Sequence, residues 1–299
     1  MYLTTGRSRR FLLGVVVALP LAYLLTMYMY PLLRLLYMSM ADINPIFGRD
    51  EFVGLRNYTN ILTEGRYVAA LARTVEYTGI VVIANLLLGM LFALLTVEIS
   101  NTLGEAISRV FRLIVMAPML LLPAAGAVMW MFALTEHYGW VNHLMKLLGF
   151  SPYPWLASDS AFYWVMLTDI WGWTPFVYLI LLAGIENLPR EPLEAAKVDG
   201  ATWLQTLVRV KLPMLKPVIV VALVIKGIDT YRAFDYLWIM TEGGPGEIST
   251  TLNIIVFKTA FRHADFGMAS ALGVVTLLLP LALVLTVLVP RWGLARHEV

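Results

Sequence analysis

Four runs of this chain, residues 11–33, 77–97, 113–134 and 266–290, each pass more than 20 positions without a charged side chain. A helix rises 1.5 Å per residue, so about 20 apolar residues cross a hydrocarbon core of about 30 Å. Inside lipid every backbone N–H and C=O must be satisfied within the protein, and for runs of this kind helices achieve that. Two further stretches reach spanning length only by carrying charge, 161–185 around Asp169 and 217–240 around Lys226, Asp229, Arg232 and Asp235. Charged residues make up 14% of the chain, against about 25% in soluble domains. The sequence therefore predicts an all-α integral membrane protein. Six spans are expected, at approximately 11–40, 68–97, 110–134, 161–185, 217–240 and 266–290, in a single transmembrane domain over 1–299. The external loops, about 25 residues each at the longest, are too short for a separate domain.

The first run follows Arg7, Arg9 and Arg10, as a signal peptide would, but it is longer than a signal h-region and has no small-residue cleavage site. It is read as a retained span. With six spans the termini share a side, and the Lys and Arg distribution selects it. Twelve lie in segments on the terminal side: Arg7, Arg9, Arg10, Arg109, Arg112, Arg190, Lys197, Arg209, Lys211, Lys216, Arg291 and Arg296. Six lie opposite: Arg49, Arg56, Arg66, Lys146, Lys258 and Arg262. Both termini and the 186–216 loop are expected to be cytoplasmic.

That loop is the polar segment with the most local structure written into it. Pro192 suits the first turn of a helix, and Glu191 and Glu194 sit where the positive end of the macrodipole favours anions. Gly200 suits a left-handed terminus. Thr202 and Gln205 match a capping box that restarts a second helix, and Leu212-Pro213 is expected to end it. Small Ala195 and Ala196 would let another protein approach the first helix closely.

Glu194-Ala195-Ala196, three residues, Gly200, nine residues and Val210-Lys211-Leu212-Pro213 resemble the EAA loop of ABC importer permeases. The likeness to the maltose-type carbohydrate permeases extends through Phe52-Val53-Gly54-Leu55-Arg56-Asn57-Tyr58, Trp171-Gly172-Trp173-Thr174-Pro175-Phe176, Thr241-Glu242-Gly243-Gly244-Pro245 and Asp265-Phe266-Gly267-Met268-Ala269-Ser270-Ala271. The Gly-Gly-Pro segment is similar to that of the first of two unlike permeases. The resemblance implies the type I importer permease fold, with coupling helices between spans four and five. Glu194, Ala195, Ala196, Asp199, Gly200, Leu212 and Pro213 would then couple to the ATPase. The implied partners are a second, nonidentical permease, a dimer of cytoplasmic ATP-binding subunits that hold ATP and Mg, an extracytoplasmic solute-binding protein, a carbohydrate, and membrane lipid. The substrate class would be sugar, oligosaccharide, polyol or sugar phosphate, moved by alternating access.

Lys226, Asp229, Arg232 and Asp235 recur every three residues and alternate in sign. A lone charge near the bilayer centre costs about 2.5–3.5 kcal/mol or more, so these must face partners or water. Asp229 lies roughly 16 Å along its helix from Val218, and Asp169 roughly 12 Å from Ala161, so both could line one cavity. Pairing of Asp229 with Lys226 or Arg232 could instead hold helices together. Pro175 interrupts span four, and Pro118 and Pro123 interrupt span three, where freed carbonyls are tolerated beside a cavity. The family resemblance implies sugar contact at Asp169, Gly172, Trp173, Phe176, Asp229 and Arg232, and Lys226 joins them in the expected pocket. Lys226 and Arg232 would suit an acidic or phosphorylated sugar, whereas Asp229 argues equally for a neutral polyol.

No catalytic or metal constellation emerges from His137, His143, His263 or His297, and no cofactor or nucleic-acid partner is expected. There is no phosphate-binding Gly-rich loop ending in Lys-Ser/Thr, so ATP hydrolysis falls to a partner. The zero cysteine count removes disulfide and thiolate chemistry. A secondary transporter using Asp169, Glu76 or Asp229 as proton carriers is the competing reading. It leaves the bent 190–213 element unexplained.

Overall fold

A computed structural model describes the backbone of residues 6–294 and the side chains of residues 14–281. The terminal arginines Arg7, Arg9, Arg10, Arg291 and Arg296, along with His297, lie outside the described side chains. The described chain is mostly helical and divides into two compact units, one from the residues up to Val68 with Ile255–Leu281, the other from Ala69–Ile254.

In the first unit, α1 (Gly6–Ser39) leads to a hairpin of β1 (Ala41–Asn44) and β2 (Arg49–Phe52), with Ala41 opposite Phe52 and Asn44 opposite Arg49. The turn is built locally: Asn44 Oδ1 accepts from the N–H of Ile46 and Phe47, and Gly48 takes the left-handed conformation at φ +63°. The helix α2 (Arg56–Thr63) follows, and buried Asn57 donates to Ser39 O and Ala41 O at 3.0 and 2.9 Å. On α1 itself nearly every described side chain is exposed, Leu19 and Tyr28 by more than two thirds. Such an apolar surface belongs against lipid or another protein, not water.

The second unit carries α3 (Gly65–Leu103) from Ala69 onward, then α4 (Glu105–Met116), α5 (Pro123–Ala133), α6 (Trp140–Leu147) and α7 (Ala161–Glu186). It continues through α8 (Arg190–Val198), α9 (Trp203–Thr206), α10 (Leu212–Tyr231) and α11 (Asp235–Thr241). Then α12 (Leu252–Phe257) and α13 (Phe266–Leu294) follow in the chain. Among the described residues three helices are long and apolar enough to cross a membrane, α1 from Gly14, α3 and α7. A fourth candidate is broken. α4 with its 3-10 extension to Leu120 meets α5 at 93°. The cause is Pro123 at the first position of α5, which forces Leu122 into extended backbone at ψ +141°.

Two sequence expectations are corrected locally. Leu212-Pro213 does not end the second helix of the loop: helix runs on from Trp203 to Tyr231, through a π turn at Leu207–Lys211. Proline at 213 has no N–H for the carbonyl of Arg209, and the wider turn, with Leu212 N–H donating to Leu207 O, accommodates that missing bond. Nor do Lys226, Asp229, Arg232 and Asp235 share one helix. α10 ends at Tyr231, and α11 starts afresh at Asp235 after a break through Arg232–Phe234.

The core of this unit lies around α7, fifteen of whose residues are buried. Val177, Tyr178 and Leu181 pack with Leu215 and Ala222 of α10, and Phe162, Val165 and Met166 with Tyr77, Tyr236 and Leu237. Asn142 of α6 pins the loop before α7, donating to Glu136 O and Tyr153 O while its Oδ1 accepts from Tyr153 N–H and Trp155 Nε1.

Candidate functional site

Among the described residues of the second unit, two places gather the site residues expected from the sequence. One is in the helical interior and the other in the 186–216 loop.

In the interior, Asp169 and Lys226 are almost fully buried, with side chains 3% and 1% exposed. Lys226 Nζ stands 3.5 Å from Asp169 Oδ1 and 3.3 Å from Asp229 Oδ2, and 4.8 Å from the centre of the Trp173 ring. A buried ammonium with two carboxylates and an aromatic face is compensated on several sides, which is the condition for keeping it charged away from water. Tyr77 OH donates to Asp169 Oδ2 at 2.6 Å. The approach of Lys226 to Oδ1 is an ion pair and not an aligned hydrogen bond, so Oδ1 accepts from no protein group.

Beside this cluster is a cavity of about 190 Å³, lined by Asp169, Trp173, Asp229, Arg232 and Asp235 with Pro123, Thr230, Ala233, Phe234 and Tyr236. A second cavity of about 170 Å³, lined by residues 119–123, Gly172, Trp173 and Tyr236, shares three of those residues. The two breaks in the fold, before Pro123 and before Asp235, both reach this place. Tyr236 is seated between glycines: a Cβ on Gly172 would collide with its hydroxyl, and one on Gly126 would lie 3.2 Å from it.

The structure thus brings Asp169, Trp173, Asp229 and Arg232 to one cavity and Gly172 to its neighbour. Lys226 stands behind the lining, held by its two carboxylates. Phe176 lies outside the cavity and braces Trp173 edge-on, with ring centres 6.2 Å apart. Arg232 is exposed and makes no ion pair with Asp229, which is taken by Lys226. Sequence reasoning missed Tyr77, Thr230 and Tyr236. For Tyr77, its place eight residues before Asn85 on an apolar helix gave no signal; for Tyr236, adjacency to Asp235 was the available hint.

In the loop, Glu191 lies in the first turn of α8 and Pro192 just behind it. The C-terminus of α8 closes as expected on Gly200 at φ +70°, with Gly200 N–H donating to Lys197 O at 3.1 Å and Ala201 N–H to Ala196 O at 2.9 Å. Thr202 and Gln205 form both halves of the capping box, at 3.3 and 2.8 Å. Glu194, Ala195, Asp199 and Gly200 are exposed, whereas Ala196 is buried. Val198, Trp203 and Leu204 stand out to solvent, 87%, 57% and 62% exposed. Leu212 and Pro213 lie within the first turn of α10.

Residues 85–293 match the family model described as the binding-protein-dependent transport system inner membrane component. The chain is 33% identical over 272 residues, 90% of each chain, to the trehalose/maltose transport system permease protein MalF of Thermococcus litoralis. It is 36% identical over 269 residues, 88% of this chain and 85% of the other, to the sulfoquinovosyl glycerol transport system permease protein SmoG of Agrobacterium fabrum. Its fold is similar to that of a chain in a bacterial ABC transporter involved in import of the acidic polysaccharide alginate, at TM-score 0.81, 21% identity and 97% coverage of both.

Proposed function

Since this chain belongs to the binding-protein-dependent transport system inner membrane components, we propose that it moves a carbohydrate through the cavity at Asp169, driven by ATP hydrolysed on partner subunits. It is a multi-pass inner-membrane permease subunit of an ABC importer, and it does not itself hydrolyse ATP. The observation that carries the substrate reading is the cavity: carboxylates, a hydroxyl and the Trp173 ring line one space, and a sugar's hydroxyls and flat ring face call for such groups. Relatives named for trehalose or maltose and for sulfoquinovosyl glycerol support the carbohydrate class.

Residues 1–299 make a single transmembrane permease domain with six spans. The fifth is the broken α10–α11 pair and the sixth is α13. The Lys and Arg distribution puts both termini and residues 186–216 in the cytoplasm. There, α8 and the helix begun by α9 dock on an ATP-binding subunit, with Glu194, Ala195, Asp199, Gly200, Trp203 and Leu204 at the contact. Ala196, Leu212 and Pro213 support that bent element from within. A second, nonidentical permease completes the pathway, and an extracytoplasmic solute-binding protein delivers substrate.

Uptake by cells lacking this chain and complemented with it tests the reading, using a panel of sugars, oligosaccharides and polyols. Asp169→Asn and Trp173→Leu should each change apparent affinity or substrate preference by at least fivefold per assembled complex. Unaltered substrate dependence in both variants would remove the pocket assignment. Orientation is tested separately. A single cysteine at Gln205 should resist an impermeant thiol reagent in intact cells and react after permeabilisation. Labelling in intact cells would reverse the topology.

A further inference from the structure

Asp169, Asp229, Asp235 and Arg232 line the cavity and Lys226 stands behind Asp169 and Asp229, so the carboxylates outnumber the cations by one. The two cations are not equally available. Lys226 is surrounded by Asp169, Asp229 and the Trp173 ring, and its side chain is 1% exposed. An incoming anion would have to displace a carboxylate to reach it. Arg232 is the exposed cation of the lining, and it sits three residues from a carboxylate on either side, Asp229 and Asp235.

The unused hydrogen-bonding capacity points the same way. Asp169 lines the cavity, and its Oδ1 is buried and accepts from no protein group. A carboxylate oxygen is an acceptor only, so whatever meets it must donate. Thr230 is on the same lining, and its buried Oγ1 also lacks a protein partner and can either donate or accept. A sugar hydroxyl does both. A carboxylate, sulfonate or phosphate dianion offers only acceptors, and brings a negative charge to a site that already has a surplus.

We propose that this cavity selects neutral polyhydroxylated sugars and rejects their acidic and phosphorylated counterparts, with Asp169 Oδ1 receiving a sugar hydroxyl and Asp229 and Asp235 providing the rejection. The proposal rests on the carbohydrate reading above and narrows it.

The test uses the assembled complex of this chain, its second permease and the ATP-binding subunits, purified into nanodiscs without the solute-binding protein, so that the permease's own preference is read. Radiolabelled pairs differing only in charge are compared by equilibrium binding: glucose with glucuronate, glucose with glucose 6-phosphate, glycerol with glycerol 3-phosphate, and maltose with its uronate analogue. The neutral member of at least one pair should bind at least tenfold more tightly than the acidic one. Asp229→Asn, which keeps the Lys226–Asp169 pair, should narrow that ratio at least threefold. Equal or tighter binding of the acidic members would overturn the charge selection and leave the carbohydrate reading standing. A ratio unmoved in Asp229→Asn would overturn the assignment of rejection to this cavity. Binding of no member of any pair, with no uptake of them by cells, would remove the carbohydrate reading and this inference with it.

Discussion

Alanine at Lys226 is expected to deplete the folded permease from the membrane. Without the ammonium, Asp169 retains only the Tyr77 hydroxyl, and Asp229 loses the counter-charge 3.3 Å away. Removing one partner of a buried ion pair commonly costs about 3–5 kcal/mol, because the survivor is left desolvated and uncompensated. That is a large share of the roughly 5–15 kcal/mol by which a folded domain is stable. Lys226→Met separates charge from packing, since it retains most of the apolar stem. Membrane yield and thermal midpoint should fall in both single variants, and adding Asp169→Asn to Lys226→Met should recover about half of the loss. The neutral amide oxygen still accepts from Tyr77 while no longer demanding a cation. A Lys226→Met protein that accumulates and melts as the unaltered chain does would mean that the pair contributes nothing to stability.

Valine at Gly200 should disconnect ATP hydrolysis from uptake. Nothing lies within 4 Å of a Cβ added there, so the penalty is conformational and not steric contact. Left-handed backbone costs an ordinary residue about 1–2 kcal/mol, and a β-branched one more. The two hydrogen bonds that end α8 depend on that conformation. Relaxing it would swing α8, only nine residues long, relative to the helix that Thr202 begins. Uptake per assembled complex should fall at least tenfold while ATPase activity persists. Gly200→Asn should retain most uptake, because asparagine tolerates the left-handed region. Normal uptake by Gly200→Val would remove the docking role from this element.

The loop was legible because its determinants are local. Glu191, Gly200, Thr202 and Gln205 act over six residues or fewer, and the structure has each where the spacing put it. Proline at 213 misled because a proline reads as a terminator, whereas a π turn can carry the helix past it. In the interior, rise per residue placed Asp169 and Asp229 at comparable depth, but depth does not choose partners. The break after Tyr231 had no sequence signal: Arg232-Ala233-Phe234 contains neither glycine nor proline. It accompanies packing of Tyr236 against Gly126 and Gly172, residues more than 60 positions away. Tyr77 escaped for a similar reason. A tyrosine in an apolar run reads as packing until the carboxylate its hydroxyl meets is known.

The first unit joins an early and a late part of the chain. Asn44 Nδ2 donates to His263 O at 3.3 Å, across 219 residues, and Gly267 leaves no room for a Cβ against Ala41 O. At about 5–20 residues per second, a ribosome needs roughly 10–45 s to make the intervening chain. During that interval the hairpin is already made without these later partners. These contacts of the first unit therefore form only late in synthesis. A ribosome stalled before His263 leaves Asn44 and Ala41 without these partners, although the bonds of Asn57 to Ser39 O and Ala41 O can already form.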